Sequence, residues 1–202
     1  MSELWTKLWG FVYEQSLAYL TQPAGGAGVV EPLGSGYSVE ETRMVHVEKL
    51  RMLCEAAVNN PEFVAHDITG DGVPETFCNR SVASIAQGMG SEDLRPDMSA
   101  NQMILHMSAL PGWREEFDLE RVAPLAGRGV LVVLGVPEPV HGHVVVAAPL
   151  PAEESGSWGG LVPMVAQVGA AAIGNGLKRL SAAFKAAKRP ELRIFIWEAS
   201  EA

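Results

Sequence analysis

Two cysteines stand in the chain, Cys54 and Cys78, and two thiols are too few for a disulfide framework, so each needs its own account. A cysteine attacks as its thiolate, and a helix N-terminus stabilises that anion through free N–H groups and the helix dipole. Thr76 can cap a helix, which puts Cys78 in its first turn. The N–H groups there are also suited to hold the oxyanion of a tetrahedral intermediate. A nucleophile needs a base, and Gly142-His143-Val144-Val145-Val146 sets an imidazole at the mouth of a strand. Alternation along that strand gives His143 the same face as Val145 and Ala147. His141 is the rival base, but it lies in a Pro-flanked loop and is expected to be solvated or a rim contact. His46, His66 and His106 read as surface or boundary histidines.

The base must in turn be oriented. On the following strand Pro163, Val165 and Gln167 share one face, and Gln167 is its polar member. Gln167 is the first choice for the third group; Asn175, after a Gly-rich bend, is the second. Either can instead satisfy nearby backbone groups. Cys78 also has a plainer reading, as a buried small hydrophobe. Asn79, Asn101 and Trp113 are candidate substrate contacts, with Gln102 beside Asn101 and Trp158 as a second loop aromatic. Such polar residues also cap or solvate helices, and a large aromatic often plugs a core edge. Arg80 suits a substrate carboxylate or a surface ion pair equally.

Just before Cys78 the chain reads Asp67-Ile-Thr69-Gly-Asp71-Gly72-Val-Pro-Glu75. Oxygen ligands at Asp67, Thr69, Asp71 and Glu75, with Gly72 in sixth place, match part of a calcium loop. The closing Glu of an EF-hand is missing, because Cys78 occupies the twelfth place. The segment is either a structural calcium site or an ordinary Asp-Gly turn with an Asx cap. The cysteine chemistry itself requires no cofactor.

The elements that must position these residues follow from periodicity. Leu4, Leu8, Phe11, Val12 and Tyr19 have helical spacing, and a Gly- and Pro-rich loop follows from Gln22 to Gly36. Ser38 and Glu41 form a capping box for a helix to about Val58, whose stripe of Val47, Leu50, Leu53, Cys54, Ala57 and Val58 makes Cys54 a buried hydrophobe. The Cys78 helix would bury Cys78, Val82, Ile85 and Met89. Ser99 and Gln102 cap a further helix through about Leu110. Strands are expected over 130–136, 143–148, 161–168 and 193–197, with an Ala-rich helix over 170–188. Helices first and antiparallel strands later predict an α+β fold. Residues 1–60 read as a helical extension with a Gly/Pro-rich loop, of unknown partner, and residues 61–202 as the catalytic domain.

Composition limits the partners. The 202 residues are 48% hydrophobic and 19% charged, enough to build a core without disulfide staples. A net charge of −9 argues against nucleic acid, against anionic membranes, and against finding an anionic wall by charge. No stretch reaches the roughly 18 apolar residues of a membrane span. Met1 to Leu20 lacks the clean apolar run and cleavage site of a signal peptide.

With Cys78 on a helix, the strand Gly129-Val130-Leu131-Val132-Val133 and then Gly142-His143-Val144-Val145-Val146, residues 70–198 resemble papain-like cell-wall hydrolases of the NlpC and CHAP (cysteine, histidine-dependent amidohydrolase/peptidase) type. Thr76-Phe77-Cys78-Asn79 ahead of Ala100-Asn101-Gln102-Met103 is similar to prophage-encoded versions. The resemblance implies a nucleophile-bearing helix on an antiparallel sheet and cleavage of amide bonds in peptidoglycan through a thioester. It implies that Cys78 attacks, His143 shuttles the proton, and Gln167 or Asn175 steers the ring. The surroundings of the nucleophile depart from the NlpC pattern: Phe77 stands where Asp is usual, and Asn79-Arg80 where Ser-Gly is usual. Without a signal peptide, such an enzyme is expected to be made in the cytoplasm and to act in the periplasm or wall after lysis or injection. The rivals are a papain-like hydrolase of a non-wall amide and an inactive binding or virion-structural domain of the same fold.

Overall fold

The computed structural model describes residues 39–70, 75–169 and 173–198. Helix α1 (Val39–Asn59) buries Leu50, Leu53, Cys54 and Ala57, the middle of the expected stripe. The capping box at Ser38 and the helix over residues 3–20 lie outside the described residues. Asn59-Asn60-Pro61 ends α1, and the Asn60 side chain caps a single 3₁₀ turn, Pro61–Phe63.

Helix α2 (Cys78–Met89) begins on the candidate nucleophile itself. Its N-cap is Phe77, with no side-chain cap bond, so the expected cap at Thr76 is corrected. Besides the expected Cys78, Val82 and Ile85, the helix buries Ser81, Ala83, Ala86 and Gly88, while Met89 is only partly covered. Burial on several sides follows from its place, against α1 and against strand β3 (His143–Ala147). Helix α3 (Ala100–Ala109) starts in the expected capping box, with Ser99 and Gln102 each answering the other's backbone N–H.

The remaining elements are β1 (Trp113–Glu116), α4 (Val122–Ala126), β2 (Val132–Val136), β4 (Glu153–Ser155), β5 (Gly160–Val162), β6 (Met164–Gln167), β7 (Gly176–Arg179), α5 (Leu180–Ala183) and β8 (Arg193–Trp197). Six strands form one sheet in the order β1-β8-β2-β3-β6-β7, every neighbouring pair antiparallel. The chain is α+β. Central strands β2 and β3 are nearly continuous runs of buried residues, because helices cover them. Helix α1 packs on α2, β6 and β7, so it shares one core with the residues that follow it.

Two expected elements differ. The strand over 161–168 is two strands: β5 pairs with β4 in a small separate sheet, β6 lies in the main one, and Pro163 between them lacks the N–H a continuous ladder needs. The Ala-rich helix over 170–188 does not form across its described part. Gly174 and Gly176 interrupt it, β7 pairs with β6, and only a four-residue helix and a 3₁₀ segment follow. Hydrogen bonds offered by the β6 edge and burial of Leu180 and Phe184 outweigh alanine's helix propensity. Among the described residues no helix is long and apolar enough to cross a membrane.

Candidate active site

Helix α2 packs on β3, and this packing brings its first residue, Cys78, to the first residue of β3, His143. The thiol and the imidazole interact, each favouring the charged form of the other. On the other side of the ring, His143 Nε2 lies 2.8 Å from Gln167 Oε1. Continuing the β3–β6 register, in which Val146 faces Ala166, sets Gln167 opposite Val145, diagonal to His143 and on its face. Gln167 is wholly buried, and its own Nε2 donates to the Val168 carbonyl at 3.3 Å. The amide oxygen is therefore the acceptor and His143 Nε2–H the donor. That leaves Nδ1 as the ring nitrogen for the thiol.

The electrostatics follow from this chain of contacts. Burial pushes the Cys78 thiol up, but the hydrogen bond and charge of His143, with the backbone N–H groups of Val144 and Asn79, carry it below its ordinary range. Burial pushes His143 down, yet the bond to Cys78 and its charge, then Gln167 and the Glu138 carboxylate, carry the imidazole above its ordinary range. Both shifts favour a thiolate–imidazolium pair. Phe184 closes another side of the imidazole, with ring centroids 5.2 Å apart and a tilt of 56°. Its carbonyl accepts from Trp158 Nε1 at 3.2 Å, so Trp158 sits in the core behind the site, 5% exposed.

The start of α2 offers N–H groups without intrahelical acceptors. Gly169, at φ +98°, lies against them: a Cβ there would come within 2.9 Å of the Phe77 nitrogen and 3.2 Å of the Cys78 nitrogen. A side chain at this position would press on the backbone where α2 begins; glycine avoids that contact. The site is thus equipped for nucleophilic attack, proton shuttling by His143 and stabilisation of an oxyanion.

Other candidate residues are placed differently. Asn175 does not meet His143. Its Oδ1 accepts from the Gly169 N–H at 3.0 Å and its Nδ2 donates to the Phe63 carbonyl at 3.1 Å, so it fixes the turn after Gln167. Asn79 ties its side chain to the Met98 carbonyl at 2.7 Å. Asn101 binds the backbone of Glu138. Trp113 is 6% exposed on edge strand β1, with β8 and β2 between it and β3, and its Nε1 donates to Asp93 at 3.0 Å. His141 is exposed in the β2–β3 loop, and Arg80 stacks over the Phe77 ring at 5.5 Å.

In the candidate calcium loop, Glu75 accepts from the N–H groups of Ile68 at 2.6 Å and Thr69 at 3.2 Å, and Asp67 accepts from Gly70 at 2.6 Å. These carboxylates serve the loop's own backbone, the arrangement of an Asx-type turn. Asp71 lies outside the described residues. Among the described residues no three His, Cys, Asp or Glu side chains are gathered to hold a metal ion.

Phe184 and Gly169 escape sequence reasoning. Phe184 falls inside the stretch read as an Ala-rich helix, and the only signal for Gly169 is its place two residues after Gln167. No protein-family model matches the chain, and no curated protein matches it either.

Proposed function

We propose that the chain is a papain-like cysteine hydrolase of the NlpC/CHAP type, cleaving amide bonds in peptidoglycan through a thioester acyl-enzyme. One observation carries the hydrolase reading: a thiol at a helix start interacting with an imidazole whose far nitrogen is held at 2.8 Å by a buried glutamine amide. The wall substrate rests on the sequence resemblance, as does the assignment to a prophage-like or injected enzyme.

In this mechanism the Cys78 thiolate attacks the scissile carbonyl carbon, and the Cys78 N–H faces the resulting oxyanion. His143, held as imidazolium, donates its Nδ1 proton to the leaving amine as the C–N bond breaks. The acyl group remains as a thioester on Sγ. Water then attacks the thioester, His143 takes one of its protons, and the carboxylic acid product leaves Cys78 as thiolate. Gln167 holds the ring so that Nδ1 keeps facing the sulfur throughout.

Digestion of purified sacculi, with mass spectrometry of the released fragments, tests this reading. The expected result is new amine and carboxyl termini with the wild-type chain and none with Cys78→Ala. Equal digestion by Cys78→Ala would end the proposal. The inactive binding or virion-structural reading draws on the burial of Cys78, which is 4% exposed; intact sacculi after prolonged incubation with wild-type protein would favour it.

A further inference from the structure

Asn101 stands on α3, and both ends of its amide are engaged by one residue of the loop between β2 and β3. Its Nδ2 donates to the Glu138 carbonyl at 2.7 Å, and its Oδ1 accepts from the Glu138 N–H at 3.2 Å. The loop has little means of holding itself, because Pro137 and Pro139 carry no N–H. Asn101 also reaches the loop's far end. A Cβ on Gly142 would overlap Asn101 Oδ1 and lie 3.2 Å from its Cγ and 3.0 Å from the Val136 carbonyl. The next residue is His143, which the strand ladder holds through its partner Val136. Its N-terminal side is held by whatever holds the loop.

We infer that Asn101 is a positioning residue for His143: it latches the 137–142 loop to α3 and so sets where the imidazole and the Glu138 carboxylate stand relative to Cys78. This rests on the cysteine-hydrolase reading. It gives Asn101 a task other than touching substrate, since both of its polar ends already serve the loop.

The groups around His143 make the latch electrically consequential. Cys78 faces the ring from α2, and the neutral Gln167 faces it from β6. Phe184, uncharged, covers it from the end of α5. From the loop itself comes Glu138, whose negative charge supports the imidazolium. Glu138 is paired with Lys188 at 3.1 Å, and Lys188 also binds Glu191 at 3.2 Å. His141 lies in the same loop, exposed. Releasing the loop lets Glu138 drift from the ring, so the imidazolium loses support and the thiolate loses its counter-charge.

The test is the pH profile of iodoacetamide alkylation at Cys78, followed by mass spectrometry on the full chain. Variants are Asn101→Ala, Gly142→Ala and the double variant. Each single variant is expected to move the rising limb upward by about half to one pH unit, a roughly three- to tenfold slowing at a pH on that limb below the wild-type midpoint. The double variant is expected to shift no further than Asn101→Ala alone, because both changes cut the same latch. Buried Cys54 is the control for an intact core, staying unlabelled throughout. Should Asn101→Ala expose Cys54, Gly142→Ala carries the test, since it displaces the amide while keeping the residue. A wild-type profile in an intact-core variant overturns the latch. A wild-type Cys78 as slow as Cys54 overturns the hydrolase reading instead, so the two failures are told apart.

Discussion

Cys54 and Cys78 sit on adjacent packed helices and have lost nearly all contact with water, at 0% and 4% exposure. Their chemistry nevertheless points in opposite directions. Around Cys54, burial and then the neighbouring Glu55 charge drive the thiol far above its ordinary range, so it stays protonated and serves as a small apolar side chain. Around Cys78, burial pushes the same way but is overcome by an imidazole and two backbone N–H groups. Removing water enlarges every electrostatic term, and the neighbours then decide the sign. A thiol at a helix start beside a histidine is eased towards its anion, where a thiol in mid-helix among leucines is held away from it.

Exchanging the thiols is the strongest way to break this contrast. Cys78→Ala is expected to lower hydrolysis by about a thousandfold or more. Cys54→Ala should leave turnover within about twofold while opening a small cavity that costs about 1–2 kcal/mol, seen as a Tm lower by several degrees. A matching loss of turnover in both variants would erase the distinction. Next in size is His143→Ala, which should slow iodoacetamide labelling of Cys78 at neutral pH by about ten- to a hundredfold, towards the behaviour of Cys54.

The pH dependence sharpens the comparison further. The Cys78 thiol is held low, so its labelling should rise at a lower pH than that of an ordinary thiol and fall as pH drops through the lowered value. His143 is held high, so the imidazolium that protonates the leaving amine persists beyond the ordinary range and is lost only at higher pH. Hydrolysis should therefore be bell-shaped, whereas alkylation shows no decline on the alkaline side. A hydrolysis profile with no alkaline decline would remove His143 as the acid. The smallest effect expected is that of Gln167→Ala: about a tenfold fall in kcat with KM nearly constant, because Gln167 orients the ring without reaching substrate. A change confined to KM would remove it from that role.

Much of this arrangement could be read from local pattern. The apolar stripe of α1, the Ser99–Gln102 box and the Val-rich strands β2 and β3 are dictated by neighbours in sequence, and they appear where expected. Alternation along β6 also puts Gln167 on the His143 face, although Pro163 shortens that strand. What escaped depends on distant partners. β1, with the sequence Trp-Arg-Glu-Glu, has no strand pattern of its own and exists because β8 lends it a hydrogen-bonded edge. β7 is taken from an alanine-rich stretch by the edge of β6 in the same way. Phe184 reaches His143 only because that stretch does not run on as a helix. Asn101 shows the same limit within the site: its residue type is plain in the sequence, but the backbone it binds lies 37 positions further on.

The three side chains of the proposed centre belong to α2, β3 and β6, and β6 comes last of these along the chain. During synthesis Cys78 therefore leaves the ribosome as an ordinary thiol, with neither its imidazole nor the glutamine that steadies it yet made. Contacts between residues so far apart in sequence form only once the intervening chain has closed on itself. In the proposed mechanism reactivity is thus a late product of maturation, and a nascent or partly unfolded copy carries no armed nucleophile. Pulsed thiol labelling during refolding should show Cys78 accelerating only as the β3–β6 pairing becomes protected from hydrogen exchange; early acceleration would mean that α2 and β3 suffice.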